Sequence, residues 1–90
     1  MLQARSIDNG GQPAFEVTKG PKKAALVTFD WTSDRLDAGS IERRGSGDGL
    51  DTLTITLADP SGTEVQVTLS ESAGNVSSSG DLDRVKIETF

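Results

Sequence analysis

The stretch SGDGLDTLT, residues 46–54, comes nearer than any other part of the chain to a metal-binding motif. It fits the calcium-binding nonapeptide pattern G-G-x-G-x-D-x-U-x, except that Ser46 replaces the first glycine. In that pattern the glycines bend the backbone so that carbonyl groups and one carboxylate, here Asp51, face a hard cation. Successive repeats share each ion, however, and this chain has a single copy. A glycine-rich loop before a strand is therefore our prediction, and calcium at residues 45–51 is the alternative.

A series of aspartates is a second set of groups that could supply chemistry. Paired carboxylates hydrolyse glycosides when they flank a substrate in a cleft. The chain has three Phe and one Trp, and a domain this small needs them for its core rather than for a sugar-binding cleft. We predict an acidic surface around turns, and a calcium or carbohydrate ligand at the loops of residues 34–51 is the alternative function. The aspartates concerned are Asp30, Asp34, Asp37, Asp48 and Asp51.

The composition removes most other catalytic schemes. The 90 residues include no cysteine and no histidine, so the usual zinc ligands, thiol nucleophiles and imidazole bases are missing. Carboxylate, lysine and hydroxyl groups remain, and these support few mechanisms without an imidazole or thiol beside them. We therefore predict a protein that is not an enzyme and that needs no cofactor or metal.

Two short basic clusters are the remaining candidates for binding, at Lys19, Lys22 and Lys23 and at Arg43 and Arg44. A net charge of −5 argues against nucleic acid as the partner, because phosphate binding requires a surplus of basic residues. Lysines beside a strand can discourage edge-to-edge aggregation. They can also pair with an acidic patch on another protein or on an identical subunit. We predict that these five residues contact a protein partner.

The elements that would position these residues are strands, because apolar residues alternate with polar ones in several segments. Leu53, Ile55 and Leu57 share one face of a strand, and the threonines between them share the other. The same pattern recurs at residues 64–69, and the sequence DPSG at residues 59–62 fits a type I turn between the two strands. A β-hairpin is therefore predicted here. Further strands are predicted at residues 15–18, 25–31, 40–44, 75–78 and 84–88.

Six or seven short strands separated by Gly, Ser and Asp clusters predict an all-β domain over residues 15–90. We expect a small antiparallel β-sandwich, with an open barrel as the alternative. The core of a chain this short is thin, and self-association or docking on a larger protein often supports such a core. The predicted core residues are Val27, Phe29, Trp31, Leu53, Ile55, Leu57, Val65, Val67 and Leu69.

Residues 1–14 contain one isolated isoleucine and a turn-like NGG sequence, so we predict an N-terminal arm that a neighbouring subunit orders. Leu2, Arg5 and Ile7 are its predicted partner contacts. No apolar run approaches the roughly 20 residues of a membrane span, and the N-terminus lacks the apolar segment of a signal peptide. We therefore expect a protein made in the cytoplasm, without a membrane partner.

Several of these features together resemble a family of small phage proteins, the immunoglobulin-like (Ig-like) proteins labelled fibre–tail adaptors. The resemblance spans roughly residues 17–89, and it depends on short motifs in combination. The matching parts are Lys19 and Pro21 in a Lys-x-Pro pair, a strand ending in Asp30 and Trp31, a strand–turn–strand segment at residues 54–69, a glycine turn at residues 79–80 and a closing strand at residues 84–87.

The resemblance implies a non-enzymatic structural protein of a tailed-bacteriophage particle, made in the host cytoplasm and localised to the virion. Its partners would be other virion proteins, capsid or tail and fibre subunits, and further copies of itself. Small all-β phage proteins also serve as capsid decoration (cement) proteins, which clamp shell subunits through arms and sheet edges. The motifs do not separate a tail or fibre adaptor from a decoration protein, and both remain expectations.

Overall fold

A computed structural model describes residues 2–32, 40–45, 51–72 and 75–90. Within these ranges the chain is all-β, and no helix occurs. The eight strands are β1 (Leu2–Asn9), β2 (Gln12–Lys19), β3 (Lys22–Phe29), β4 (Ser40–Gly45), β5 (Asp51–Ala58), β6 (Glu64–Ser72), β7 (Asn75–Gly80) and β8 (Val85–Thr89). Each strand that the sequence predicts overlaps one of these, and β1 is the strand that it did not predict.

The strands form two antiparallel sheets of four strands each. The first sheet has the order β1-β2-β3-β8, and the second has the order β4-β5-β6-β7. After β3 the chain leaves the first sheet, builds the whole second sheet as a run of adjacent strands, and returns as β8 beside β3. The predicted all-β, antiparallel architecture is confirmed, in a β-sandwich-like arrangement.

One hydrophobic core lies between the sheets, and both sheets contribute to it. In the second sheet, strict alternation sends three apolar side chains of β5 and three of β6 inward, paired as Leu53 with Leu69, Ile55 with Val67 and Leu57 with Val65. The first sheet contributes Phe15, Val17, Val27 and Phe29. Eight of the nine predicted core residues are buried. The ninth, Trp31, is partly exposed and packs on the edge of the core, 5.2 Å from Phe29 between ring centroids.

The predicted turn between β5 and β6 is confirmed in its hydrogen bonding. The amide of Gly62 donates to the carbonyl of Asp59 at 2.9 Å, and the amide of Asp59 donates to the carbonyl of Thr63 at 2.8 Å. Gly62 has a φ of 89°, which a glycine adopts without strain at the last position of a three-residue hairpin loop. The Asp59 side chain accepts from the amides of Ser61 and Thr63, both at 2.9 Å, and this fixes the loop further.

The N-terminal segment differs from the arm that the sequence predicts. Leu2–Asn9 pair along their whole length with β2, through a two-residue turn in which Gly10 and Gly11 have φ of 65° and 89°. Two positive φ values are those of a type I′ turn, whose twist matches that of the flanking strands. The alternation in β1 is hidden because the residues that follow Leu2 on the same side of the strand are small or polar. Ala4 is partly buried opposite Val17, and Ser6 is exposed opposite Phe15.

Leu2 offers a direct test of this strand. Its side chain is fully buried in the core, so Leu2→Ala should lower the free energy of unfolding by roughly 2–4 kcal/mol, as large-to-small core substitutions do. Ile7→Ala is the matched control, because Ile7 is only partly buried and lies on the other face of the same strand. Urea denaturation measures both. If residues 2–9 were instead a flexible arm, both variants would be as stable as the unchanged chain, and that result would contradict the structure.

Candidate interaction surface

The three lysines predicted to contact a partner lie together at the turn between β2 and β3. Lys19 pairs with Lys22 across the two-residue turn, and Lys23 follows in β3. These lysines line an open depression of about 400 Å³. Apolar residues from three other parts of the chain line it as well: Ala24 beside the turn, Val76 of β7 and Phe90 after β8. We call this surface the lysine depression.

The lysines of the depression differ in how firmly they are held. Lys19 Nζ lies 3.4 Å from Glu71 Oε1, an ion pair that joins the first sheet to the second. Lys23 Nζ lies 3.8 Å from Glu16 Oε2, and its side chain is 69% exposed, so this pair is weak. Lys22 is exposed, and among the described residues no carboxylate lies within ion-pair distance of it. Lys22 is therefore the lysine most available to a carboxylate on another molecule.

The apolar part of the depression is partly open to solvent. Phe90 is 69% exposed, although its amide donates to the carbonyl of Ala24 at 3.0 Å and so holds the backbone against β3. Ala24 is buried and Val76 is partly buried. An exposed aromatic ring beside ammonium groups is typical of protein contact surfaces, where large apolar side chains supply the contact area. Sequence analysis missed Val76 and Phe90, because only the fold brings them to the lysines.

The remaining predicted contacts lie elsewhere. Leu2 is buried in the core, so its side chain is not presented to a partner, and the prediction for this residue is corrected. Arg5 is exposed on β1 and contacts Glu16 at 3.2 Å. Ile7 is partly buried on the outer face of the first sheet, opposite Ala14. Arg5 and Ile7 do not line the depression. Arg5 is nevertheless close to one of its lysines, because Lys23 pairs with the other carboxylate oxygen of Glu16 at 3.8 Å.

The arginine pair lies in β4, at one edge of the second sheet. Arg44 is exposed, and its carbonyl accepts a hydrogen bond from Thr52 Oγ1 at 3.3 Å. The backbone of Arg43 pairs with Leu53, but its side chain lies outside the described part of the chain. The lysine depression is bounded by β7, at the opposite edge of this sheet. The two basic clusters are thus separate surfaces.

The candidate calcium loop at residues 45–51 lies largely outside the described residues, as do Asp34, Asp37 and Asp48. Asp51 is described, and its Oδ2 accepts a hydrogen bond from the Leu2 amide. This contact ties β1 of the first sheet to β5 of the second. Within the ranges that the structure describes, no three acidic side chains converge in a way that could hold a metal ion.

Asp30, Trp31 and Asp59 converge on Arg84, a residue that sequence analysis did not single out as a contact. Arg84 Nε donates to Asp30 Oδ2 at 2.9 Å, and a terminal nitrogen donates to Asp59 Oδ2 at 3.2 Å. The guanidinium also lies 5.4 Å from the centroid of the Trp31 ring, within cation–π range. One side chain therefore joins the end of β3, the β5–β6 turn and the segment before β8. This cluster, Asp30, Trp31, Asp59 and Arg84, is the arginine joint.

Two members of the arginine joint, Asp59 and Arg84, have shifted pKa values. The Ser61 hydroxyl, the amides of Thr63 and Ser61 and the Arg84 guanidinium all donate to Asp59, and together they lower the pKa of its carboxyl group from 3.8 to about 2. Hydrogen bonds to Asp30 and Asp59 raise the pKa of Arg84 above its ordinary value. Asp59 and Arg84 are therefore both charged at neutral pH, and each stabilises the charged form of the other.

Comparison with known protein families, with curated proteins and with solved structures found no match. In the described part of the chain, no helix is long and apolar enough to cross a membrane. The function of this chain is therefore inferred from its own residues and their geometry.

The low pKa of Asp59 predicts how stability depends on pH. Because the folded-state pKa lies below the unfolded one, the carboxylate's contribution is complete above pH about 4 and is lost as the pH falls through about 2. Asp59→Asn should therefore lower the urea midpoint most at neutral pH, and the difference from the unchanged chain should vanish near pH 2. Ser61→Ala removes the hydrogen bond that lowers the pKa of Asp59 most, so the carboxylate's contribution to stability should be lost at a higher pH in this variant. Parallel pH profiles for Asp59→Asn and the unchanged chain would contradict this account.

Proposed function

We propose that this chain is a non-enzymatic structural protein of a tailed-bacteriophage particle, which acts by protein–protein contacts. It serves either as a tail and fibre adaptor or as a capsid decoration protein. The protein is made in the host cytoplasm and is incorporated into the virion, where its partners are capsid or tail subunits and further copies of itself.

The observation that carries the proposal is the lysine depression. On a chain of net charge −5, three lysines gather around an open surface that also presents Phe90. Lys22 has no carboxylate within ion-pair distance among the described residues, and Phe90 is largely exposed. A basic and aromatic surface on an acidic protein fits an acidic protein partner better than a small substrate, because the depression is open rather than enclosed.

The arginine joint supports the proposal in a second way. Asp30, Trp31 and the loop that begins at Asp59 are among the features that resemble the phage adaptor family. All of them contact Arg84, at the start of the closing strand that also belongs to the resemblance. Their charged groups are accordingly engaged in structure rather than available for chemistry.

The assignment of this β-sandwich-like fold to the Ig-like class is also a proposal. Ig-like proteins have two packed antiparallel sheets, as this chain does, but constant-type Ig domains interleave their strands as ABED and CFG. Here β1, β2 and β3 are neighbours, and β4 to β7 are neighbours, so the strands are not interleaved in that way. We therefore propose the Ig-like likeness at the level of architecture, two packed antiparallel sheets, and not of strand order.

The direct test is incorporation into particles. An epitope-tagged chain produced during infection should sediment with purified particles and resist washing at moderate salt. Quantitative mass spectrometry then separates the two placements: copies on the order of hundreds per particle indicate a decoration protein, and on the order of a dozen indicate a tail or neck component.

A matched control uses the tagged chain with Ile55→Asp, which places a charge in the core. This variant should not fold and should be absent from particles, so any recovery of it measures non-specific trapping. Recovery of the unchanged chain at the level of this control would overturn the proposed function.

A further inference from the structure

We propose that the lysine depression of one copy receives the segment at residues 81–83 of a second copy, so that copies associate head to tail. We call this segment, Asp81, Leu82 and Asp83, the acidic tip. The inference deepens the proposed function and rests on it, since it names a second copy of this chain as the occupant of the depression.

The acidic tip is complementary to the depression in charge, and both present apolar side chains. Leu82 is 43% exposed, one of the few large apolar side chains that the described residues leave on the surface. An exposed aspartate stands on each side of it. The depression offers the complement, with apolar groups from Val76 and Phe90 and ammonium groups from the lysines. Opposite charges around an apolar contact favour both association and a defined orientation.

The tip is rigid enough to act as a preformed ligand. The Asp81 amide donates to the Gln66 carbonyl at 2.8 Å, and the Gln66 amide donates to Asp81 Oδ2 at 2.9 Å. On the other side, the Arg84 amide donates to the Asp81 carbonyl at 3.0 Å. Arg84 is itself fixed in the arginine joint. Because these bonds hold the tip in place before binding, docking costs little conformational entropy.

The acidic tip and the lysine depression are too far apart in one chain to contact each other, so a contact between them must join two copies. The tip precedes β8 and Phe90 follows it, so they lie at opposite ends of a five-residue strand, roughly 17 Å apart at about 3.3 Å per residue. A tip cannot reach the depression of its own chain. The contact uses two different surfaces, and such a contact either closes into a ring or continues as a filament.

Charge reversal tests the contact. Lys22→Glu alters the depression and Asp83→Lys alters the tip, and both positions are exposed, so the fold should be retained. Sedimentation velocity over a range of concentrations should show self-association of the unchanged chain, weakened by rising salt. Each variant alone should associate at least roughly tenfold more weakly. An equimolar mixture should associate again, because the intact tip of Lys22→Glu meets the intact depression of Asp83→Lys.

Two further variants serve as controls. Arg44→Glu makes the same change in net charge as Lys22→Glu, but it lies in β4, across the second sheet from the depression, and it should leave association unchanged. Leu82→Ser removes the apolar group without altering charge, and it should weaken association at high salt as well as at low salt. Urea denaturation checks that all four variants remain folded.

Three results would overturn the inference: an unchanged chain that stays monomeric at every concentration, single variants that associate as the unchanged chain does, or a mixture that does not recover. None of these results bears on incorporation into particles, which tests the proposed function separately. A chain found in particles with association insensitive to Lys22→Glu would refute the head-to-tail contact alone. A chain absent from particles, with charge-dependent association, would refute the proposed function alone.

Discussion

The contact on which the rest of the structure depends is the arginine joint. Arg84 reaches Asp30, 54 residues earlier in the chain, and Asp59 in the turn of the other sheet. The sheets share a core, but in the described residues they share no strand pairing, so polar contacts at their ends act together with that core to fix how one lies on the other. Arg84 supplies such a contact at one end, and Lys19 with Glu71 and Leu2 with Asp51 supply others. A planar guanidinium suits this role because it donates to two carboxylates at once.

The joint also explains how a small domain can present a defined surface. The acidic tip directly precedes Arg84, and the strand that follows Arg84 ends at Thr89, next to Phe90 in the lysine depression. Both proposed contact surfaces are thus attached to one short strand whose beginning is fixed by the joint. The outer face of the second sheet, by contrast, is occupied by threonines such as Thr54 and Thr68, whose hydroxyls bond each other at 2.9 Å.

Strands were predicted correctly where apolar and polar residues alternate strictly, and β1 was missed because its alternation is not visible in the sequence. Leu53, Ile55 and Leu57 alternate with threonines, and their hairpin follows directly from that pattern and from the turn at Asp59. β1 was missed because the residues that pair with Val17 and Phe15 are Ala4, which is small, and Ser6, which is polar and exposed, so no run of large apolar residues marks the strand. The lysines were predicted as contacts from local composition. Their apolar neighbours, Val76 and Phe90, come from distant segments, and no local pattern could place them there.

Hydrogen exchange of the Arg84→Gln variant, followed by mass spectrometry, tests most directly whether one side chain joins the three segments. The variant keeps a polar side chain of similar length but cannot donate to both carboxylates as a cation. If the joint acts as described, amides in residues 59–63 and at Asp30 should exchange faster together with those in residues 81–84. Faster exchange confined to residues 81–84, with the turn and the end of β3 unchanged, would contradict the account.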